Sequence, residues 1–187
     1  MRCNVQKLCG GCSLLAVPSL KQAQQKREQV TDLMKSAGLD VKVEPVMMAA
    51  SAIGYRNKVI VGFAKDKQKK IYSGLYAPKS HKVIDTKGCA MHPALLNEII
   101  DFITETVASM KYELYNERTG TGILRHVLLR WAKETDEVMV VLVTSSKQLP
   151  GRRNLVNALV SRFPQVKTVI QNINPRDTSV VLQDESI

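Results

Sequence analysis

Three cysteines stand within the first twelve residues of this 187-residue chain, and a fourth lies far downstream. Cys3, Cys9 and Cys12 follow the pattern C-x5-C-G-G-C, and Cys89 lies in the stretch DTKGCAMHP. Thiolates bind zinc and iron well, and the two glycines allow a backbone turn tight enough for neighbouring thiols to face one centre. The spacing therefore predicts a metal centre with Cys3, Cys9 and Cys12 as ligands and Cys89 as the fourth.

Other roles for these thiols are open at this point. Cytosolic cysteines seldom form structural disulfides, so the alternatives are buried unpaired thiols, a Cys9–Cys12 redox pair and a four-thiolate metal centre. No thioredoxin-like βαβ pattern surrounds Cys9 and Cys12, which disfavours the redox pair. Zinc and a four-iron four-sulfur cluster both accept four thiolates. Structural zinc sites usually contain two C-x2-C pairs, so one C-x5-C-x2-C with a distant cysteine favours the cluster.

Composition indicates an anionic partner. The chain has 27 Lys and Arg against 17 Asp and Glu, a formal net charge of +10, and 44% hydrophobic residues, enough for a core. A positive field of this size attracts polyanions, with nucleic acid the first partner to consider and an anionic membrane the second. Because no apolar run approaches the length of a membrane span and the N-terminus does not resemble a signal peptide, we expect a cytoplasmic protein with no membrane association.

The first part of the chain predicts one helix and then a β-rich segment. Ser19 and Gln22 fit a capping box at the start of a helix that runs to Gly38. YRNKVIVGFA and KKIYSGLYA form a predicted hairpin around the turn KDKQ, and a short third strand follows at HKVID.

The remainder predicts alternating helices and strands. PALLNEIIDFITETVASM has apolar residues at the spacing of an amphipathic helix, and RNLVNALVSRF is a shorter helix that stops before Pro164. ILRHVLLRWA and EVMVVLVTS are predicted strands, the second buried on both faces, and VKTVIQNI and TSVVLQ are predicted to pair around the turn NPRD.

These elements predict an α+β fold, with a mixed, mainly antiparallel sheet, helices packed on one side and a metal-bearing N-terminal segment. We expect residues 1–50 to form the cysteine-rich cluster loop and first helix. Residues 51–187 are expected to form a central RNA-recognition domain, with Cys89 closing the cluster. The single G-x-G, in ERTGTGILRH, precedes a strand and lacks a third glycine, so it predicts a turn rather than a cofactor loop.

Basic residues in the predicted strands are the candidates for RNA contact. Arg56 and Lys58 stand at a strand entrance, where a guanidinium can bind a phosphate or stack on a base. In ILRHVLLRWA, the two-residue period places Arg125 on one face and His126 and Arg130 on the other. The alternative for Arg125 is a buried position paired with a carboxylate.

The order of several motifs resembles a known family. C-x5-C-G-G-C is followed by SLKQAQQKREQV, GYRNKV, HKVIDTKGC, LRHVLLR and QNINPRDTSVVL. This order is similar to the N-terminal half of the bacterial 23S rRNA uracil-5-methyltransferases. The resemblance implies a four-iron four-sulfur cluster on Cys3, Cys9, Cys12 and Cys89. It also implies methylation of carbon 5 of a uridine with S-adenosylmethionine, through a catalytic cysteine that attacks carbon 6 and an acidic residue that removes the proton.

Two departures from the family limit what this chain is expected to do alone. The cluster pattern uses all four cysteines, so no catalytic residue is assigned, and the family's methyl-donor domain does not follow the final strand pair. S-adenosylmethionine is therefore expected to bind that missing C-terminal domain, and the chain by itself is expected to be inactive. The expected partner is 23S ribosomal RNA, and the expected state is a monomer. The alternative function is a stand-alone iron-sulfur or zinc protein that binds nucleic acid or carries electrons.

Overall fold

The computed structural model describes residues 3–178 and 180–187. Ser179, which lies in the predicted strand TSVVLQ, is outside the described residues, as are the first two. The chain divides into two compact units, Met1–Ala52 and Ile53–Ile187. We call them the cysteine unit and the sheet unit.

The cysteine unit contains two helices, α1 (Gln6–Cys9) and α2 (Ser19–Ser36). The predicted helix is confirmed as α2, but its capping box is wrong, because no side chain caps its first turn. Pro18 occupies the N-cap position with extended backbone, so Ser19 is already helical and cannot cap. Instead the Gln22 Nε2 group reaches back and donates a hydrogen bond of 2.8 Å to the Val17 carbonyl.

The apolar residues of α2 keep helical spacing without being buried. Leu20 is 78% exposed and Leu33 is 66% exposed. Within residues 3–52, no described side chain is buried. The cysteine unit therefore has no hydrophobic core among its described residues.

The sheet unit is built on six strands: β1 (Lys58–Lys65), β2 (Ile71–Tyr76), β3 (Val83–Asp85), β4 (Leu124–Ala132), β5 (Glu137–Thr144) and β6 (Val166–Ile173). Their order in the sheet is β3-β2-β1-β4-β5-β6. All neighbours are antiparallel except β5 and β6, which are parallel. The predicted fold class, a mixed and mainly antiparallel sheet with helices on one side, is confirmed.

Two helices, α3 (Ala94–Ser109) and α4 (Arg152–Arg162), pack on one face of this sheet. The buried positions of α3 are those its periodicity predicts: Leu96, Ile99, Ile100, Ile103 and Val107. They form one core with alternate residues of the strands, such as Val61, Leu129 and Val140. Of the helices in the described chain, none has the length and apolar character needed to cross a membrane.

The end of the chain differs from its prediction. β6 does not pair with a TSVVLQ strand but lies parallel to β5, reached through α4. Residues 180–187 form no strand, but they meet β6 through an isolated bridge between Asn172 and Ser186 and through backbone hydrogen bonds that join Gln171 to Ile187 and Ile173 to Glu185. Side-chain amides hold the rest of this segment, because Asn174 Nδ2 donates to the Val180 and Val181 carbonyls at 2.8 and 3.0 Å.

Candidate nucleic-acid interface

The face of the sheet opposite α3 and α4, which we call the second face, brings two predicted RNA-binding residues together. Lys58 of β1 is directly opposite Arg130 of β4, and both side chains are exposed. In the described residues, no carboxylate forms an ion pair with either one. Like charges directly opposite each other on a sheet repel, so an anion bound between them would relieve that repulsion.

Arg56 lies just before β1 and is half-buried. Its backbone N–H donates a hydrogen bond of 3.1 Å to the Met91 carbonyl. The charge of Arg56 also acts on His92. Burial lowers the pKa of His92 below the ordinary value, the hydrogen bond that His92 donates to Asn97 Oδ1 opposes this, and the charge of Arg56 lowers the pKa further. Arg56 thus lies beside the turn that carries Cys89, and its contact with RNA stays a prediction.

Arg125 is only 4% exposed. Its Nη1 atom donates hydrogen bonds to the carbonyls of Asn174 and Arg176 at 2.9 and 2.6 Å, and its guanidinium carbon lies 4.2 Å from the centre of the Tyr115 ring. The buried alternative is therefore the one observed, with carbonyls as partners instead of a carboxylate. In this position Arg125 holds the turn after β6, and its contact with RNA stays a prediction.

His126 is also buried, at 5% exposed, and lies on the second face. Its Nε2 atom is 2.9 Å from the Tyr76 hydroxyl. Burial, together with the charge of Arg125, lowers the pKa of His126 to about 4. Burial and the charge of Glu117 raise the pKa of Tyr76 to about 12, against the opposing effect of Arg125. Both groups are therefore neutral near pH 7, which makes their contact a neutral hydrogen bond.

The four cysteines all belong to the described part of the chain, and none is in a disulfide. Cys3 is exposed, while Cys9, Cys12 and Cys89 are half-buried. Across residues 3–178 and 180–187, no three His, Cys, Asp or Glu side chains are grouped so that they could hold a metal ion. The structure thus gives no geometric support for a metal centre, and the ligand set stays a prediction from sequence spacing.

Cys89 lies in a turn that is tightly bonded within the sheet unit. Its N–H donates to the Thr86 carbonyl at 3.0 Å, and its own carbonyl accepts from the His92 N–H at 3.1 Å and from Asn97 Nδ2 at 3.1 Å. Asn97 Oδ1 is in turn 3.2 Å from His92 Nδ1.

Sequence reasoning missed several residues that matter in these sites. His92 and Asn97 fix the Cys89 turn, and Tyr76 holds His126, yet none of the three carries a motif. Tyr76 and His126 are fifty positions apart, so only the pairing of strands brings them together. The asparagines of QNIN were noted only as part of a motif, although their amides hold the final segment.

Comparison with known proteins identifies relatives of the whole chain. It is 38% identical over 186 residues to an RNA methyltransferase of Clostridium tetani, an alignment that covers 99% of this chain. It is also 35% identical over 187 residues to one from Listeria monocytogenes and 31% identical over 186 residues to one from Bacillus cereus. All three relatives are named as uncharacterized RNA methyltransferases. The chain spans about 40% of the length of each.

A solved structure gives the same class of protein. The fold is similar to the tRNA (uracil-54, C5)-methyltransferase of Pyrococcus abyssi, determined in complex with S-adenosyl-L-homocysteine, with a TM-score of 0.68 and 26% identity. The similarity covers 94% of this chain and 39% of that protein. No protein-family model matches the chain. The chain is therefore related in sequence and in fold to one part of RNA methyltransferases.

Proposed function

We propose that this chain is the substrate-recognition portion of an S-adenosylmethionine-dependent RNA uracil-5-methyltransferase, and that its substrate is 23S ribosomal RNA. The observation that carries the proposal is the exposed pair Lys58 and Arg130 on a sheet of the fold found in a uracil-5-methyltransferase. The net charge of +10 supports an RNA partner, and the sequence motifs support the ribosomal target.

Phosphate contact by this pair has a measurable signature. Each phosphate that a Lys or Arg neutralises releases condensed counterions, so the logarithm of affinity falls linearly with the logarithm of salt concentration. For single strands the slope changes by about 0.7 for each contact. Arg56, which lies just before β1, is a third candidate for a phosphate contact.

The test is a binding titration with transcribed segments of 23S rRNA at several salt concentrations. We expect the double variant Lys58→Ala/Arg130→Ala to bind about tenfold more weakly at low salt and to have a shallower slope. Lys67→Ala/Lys70→Ala, in the exposed turn of the β1–β2 hairpin, is the matched control, because it also removes two positive charges but away from the second face. Equal affinity of the double variant and the control, with circular dichroism unchanged, would reject this site.

We also propose that Cys3, Cys9, Cys12 and Cys89 hold one four-iron four-sulfur cluster. The support is the C-x5-C-x2-C spacing with a distant fourth cysteine and the absence of any disulfide among the four. Four thiols match the ligand set of such a cluster, and metal binding of this kind contributes directly to folding.

Anaerobic reconstitution tests the cluster directly. A brown protein with about four irons per chain is expected, and Cys89→Ser should lower the iron content. One zinc per chain, in a colourless protein, would assign a zinc centre instead. A natural protein that binds a cluster but no RNA would favour the electron-carrying alternative over RNA recognition.

We propose methyl transfer for the longer relatives and not for this chain by itself. S-adenosylmethionine would bind the part that the relatives have beyond the matched 40%. Incubation of the 187-residue chain with labelled donor and unmodified 23S rRNA should leave the RNA unlabelled, whereas the longer Clostridium tetani relative should label uridine. Label transferred by the chain alone would overturn the assignment of all four cysteines to the cluster.

A further inference from the structure

The Tyr76 side chain lies across the second face of the sheet. Its hydroxyl passes over Gly62 of β1 and meets His126 of β4, which faces Gly62 in the strand register. A Cβ atom on Gly62 would lie only 2.6 Å from the tyrosine hydroxyl, so the glycine is what gives the ring room to lie there. The ring meets His126 edge-on, with 5.7 Å between ring centres, and remains half-buried.

The same face changes character along β1 and β4. From the His126 row the next row is apolar, with Ile60 opposite Leu128, and the row after that is the cationic pair Lys58 and Arg130. Lys58 is four residue steps along β1 from Gly62, which is about 13 Å at the usual rise. An aromatic ring, an apolar strip and two cations thus follow each other over a distance that a few extended nucleotides can span.

The charged residues differ between the two ends of this face. The Glu117 carboxylate, which is paired with His81, lies close enough to Tyr76 to raise the pKa of the tyrosine hydroxyl. On the other side, Lys58 and Arg130 have no carboxylate partner in the described chain. A polyanion that reaches the ring is therefore favoured to run toward Lys58 and Arg130. Val181 packs on the neighbouring Leu128 cluster and leaves the row of Lys58 and Arg130 exposed.

From this arrangement we infer that the second face binds an unpaired stretch of RNA, with one base stacked on Tyr76 and the following phosphates on Lys58 and Arg130. The inference rests on the proposed function and names the form of RNA that this site takes. Bases of unpaired RNA can stack on aromatic side chains, whereas bases within a duplex are held in their own stack. His126 is a positioning residue, because it holds the tyrosine ring through a hydrogen bond and does not itself contact the RNA.

The test uses the whole chain and two RNAs of equal length, one unpaired and one a fully paired duplex. We expect Tyr76→Leu to weaken binding of the unpaired RNA about tenfold. Tyr76→Phe, which keeps the ring but loses its hydrogen bond to His126, should weaken binding by less than Tyr76→Leu does. Gly62→Ala keeps the ring and every charge but displaces the hydroxyl, so it should weaken binding by an intermediate factor. Tyr55→Leu is the control, because Tyr55 is 60% exposed and lies outside the second face.

Stacking has its own readout. An oligonucleotide carrying 2-aminopurine should lose fluorescence when it binds the wild type or Tyr76→Phe, and keep it with Tyr76→Leu at saturating protein. Tighter binding of the duplex, or equal quenching by Tyr76→Leu, overturns the inference. If Tyr76→Leu binds normally while Lys58→Ala/Arg130→Ala does not, the inference that a base stacks on Tyr76 is rejected, but the proposed RNA-recognition function is retained. If the wild type binds neither RNA, both the stacking inference and the proposed RNA-recognition function are rejected.

Discussion

The two units of this chain hold their apolar residues in opposite ways. In the sheet unit, Leu96 and Ile99 of α3 are completely buried against the strands. In the cysteine unit, Leu20 and Leu33 of α2 are largely exposed, although their spacing is just as regular. Because burial of apolar surface is the main term that stabilises a fold, the sheet unit accounts for its own stability and the cysteine unit does not. This difference is why a metal centre is an attractive role for the three cysteines that the cysteine unit carries.

The largest expected effect is the loss of a core leucine. Leu96→Ala removes a side chain that is 0% exposed and leaves a cavity between α3 and the sheet, so we expect a loss of about 3 kcal/mol in the free energy of unfolding. Urea denaturation followed by circular dichroism measures it. A loss below about 1 kcal/mol would mean that the core of the sheet unit is less tightly packed than its burial indicates.

Acid should destabilise the sheet unit through His126. Its pKa falls from 6.5 to about 4 in the folded state, so the unfolded chain binds more protons between these values. The stability is complete above pH 6.5 and falls by about 3 kcal/mol as the pH drops to 4. Denaturation curves across this range measure the fall.

His126→Gln is the matched variant for the acid experiment, because glutamine does not titrate. The dependence of stability on pH should become shallower in this variant, and part of it should remain because burial also lowers the pKa of His92. An unchanged slope would assign the acid sensitivity to other groups.

Removal of the buried Arg125 guanidinium should lower the free energy of unfolding by somewhat less than the two changes above. Arg125→Met leaves the carbonyls of Asn174 and Arg176 without their donor, and we expect a loss of about 2 kcal/mol. Arg130→Met, five positions along the same strand, is the control, since its exposed side chain should change stability by less than about 0.5 kcal/mol. Similar losses in the two variants would contradict the structural role of Arg125.

The smallest effect is expected in the cysteine unit. Leu20→Ala is the counterpart of the core substitution, but its side chain is already 78% exposed, so the free energy of unfolding should change by less than about 0.5 kcal/mol. The measurement is the same urea titration, made on the metal-free chain. A loss as large as that of Leu96→Ala would show that α2 is buried in solution.

Local patterns predicted most of the elements of the sheet unit. The buried positions of α3 follow its helical period, and β5 was identified as a central strand from its uninterrupted apolar run. The prediction failed at the chain end, where VKTVIQNI lies beside β5 instead of pairing with TSVVLQ. The partner of β6 depends on which distant strand has a free edge and on the asparagine amides that donate hydrogen bonds to carbonyls of the final segment. A local side-chain period encodes neither of these.

The candidate site was predicted by residue type but not by placement. The sequence singled out five residues for RNA contact: Arg56, Lys58, Arg125, His126 and Arg130. Only the register of β1 and β4 shows that Lys58 and Arg130 are neighbours, and only packing shows that Arg125 and His126 are buried. Tyr76 was not among the residues predicted to contact RNA, because the sequence of a strand does not show which residue a tyrosine will contact on another strand of the sheet.

Sequence alone is enough to predict the fold class, because the positive charge, the cysteine spacing and the helix and strand periods follow from composition and from side-chain spacing along the backbone. Long-range contacts set the rest: β6 lies parallel to β5, Arg125 donates hydrogen bonds to two backbone carbonyls, and Gly62 leaves room for the Tyr76 ring above the sheet. These outcomes depend on contacts between residues tens of positions apart, and the energies of such contacts exist only once the strands are in register.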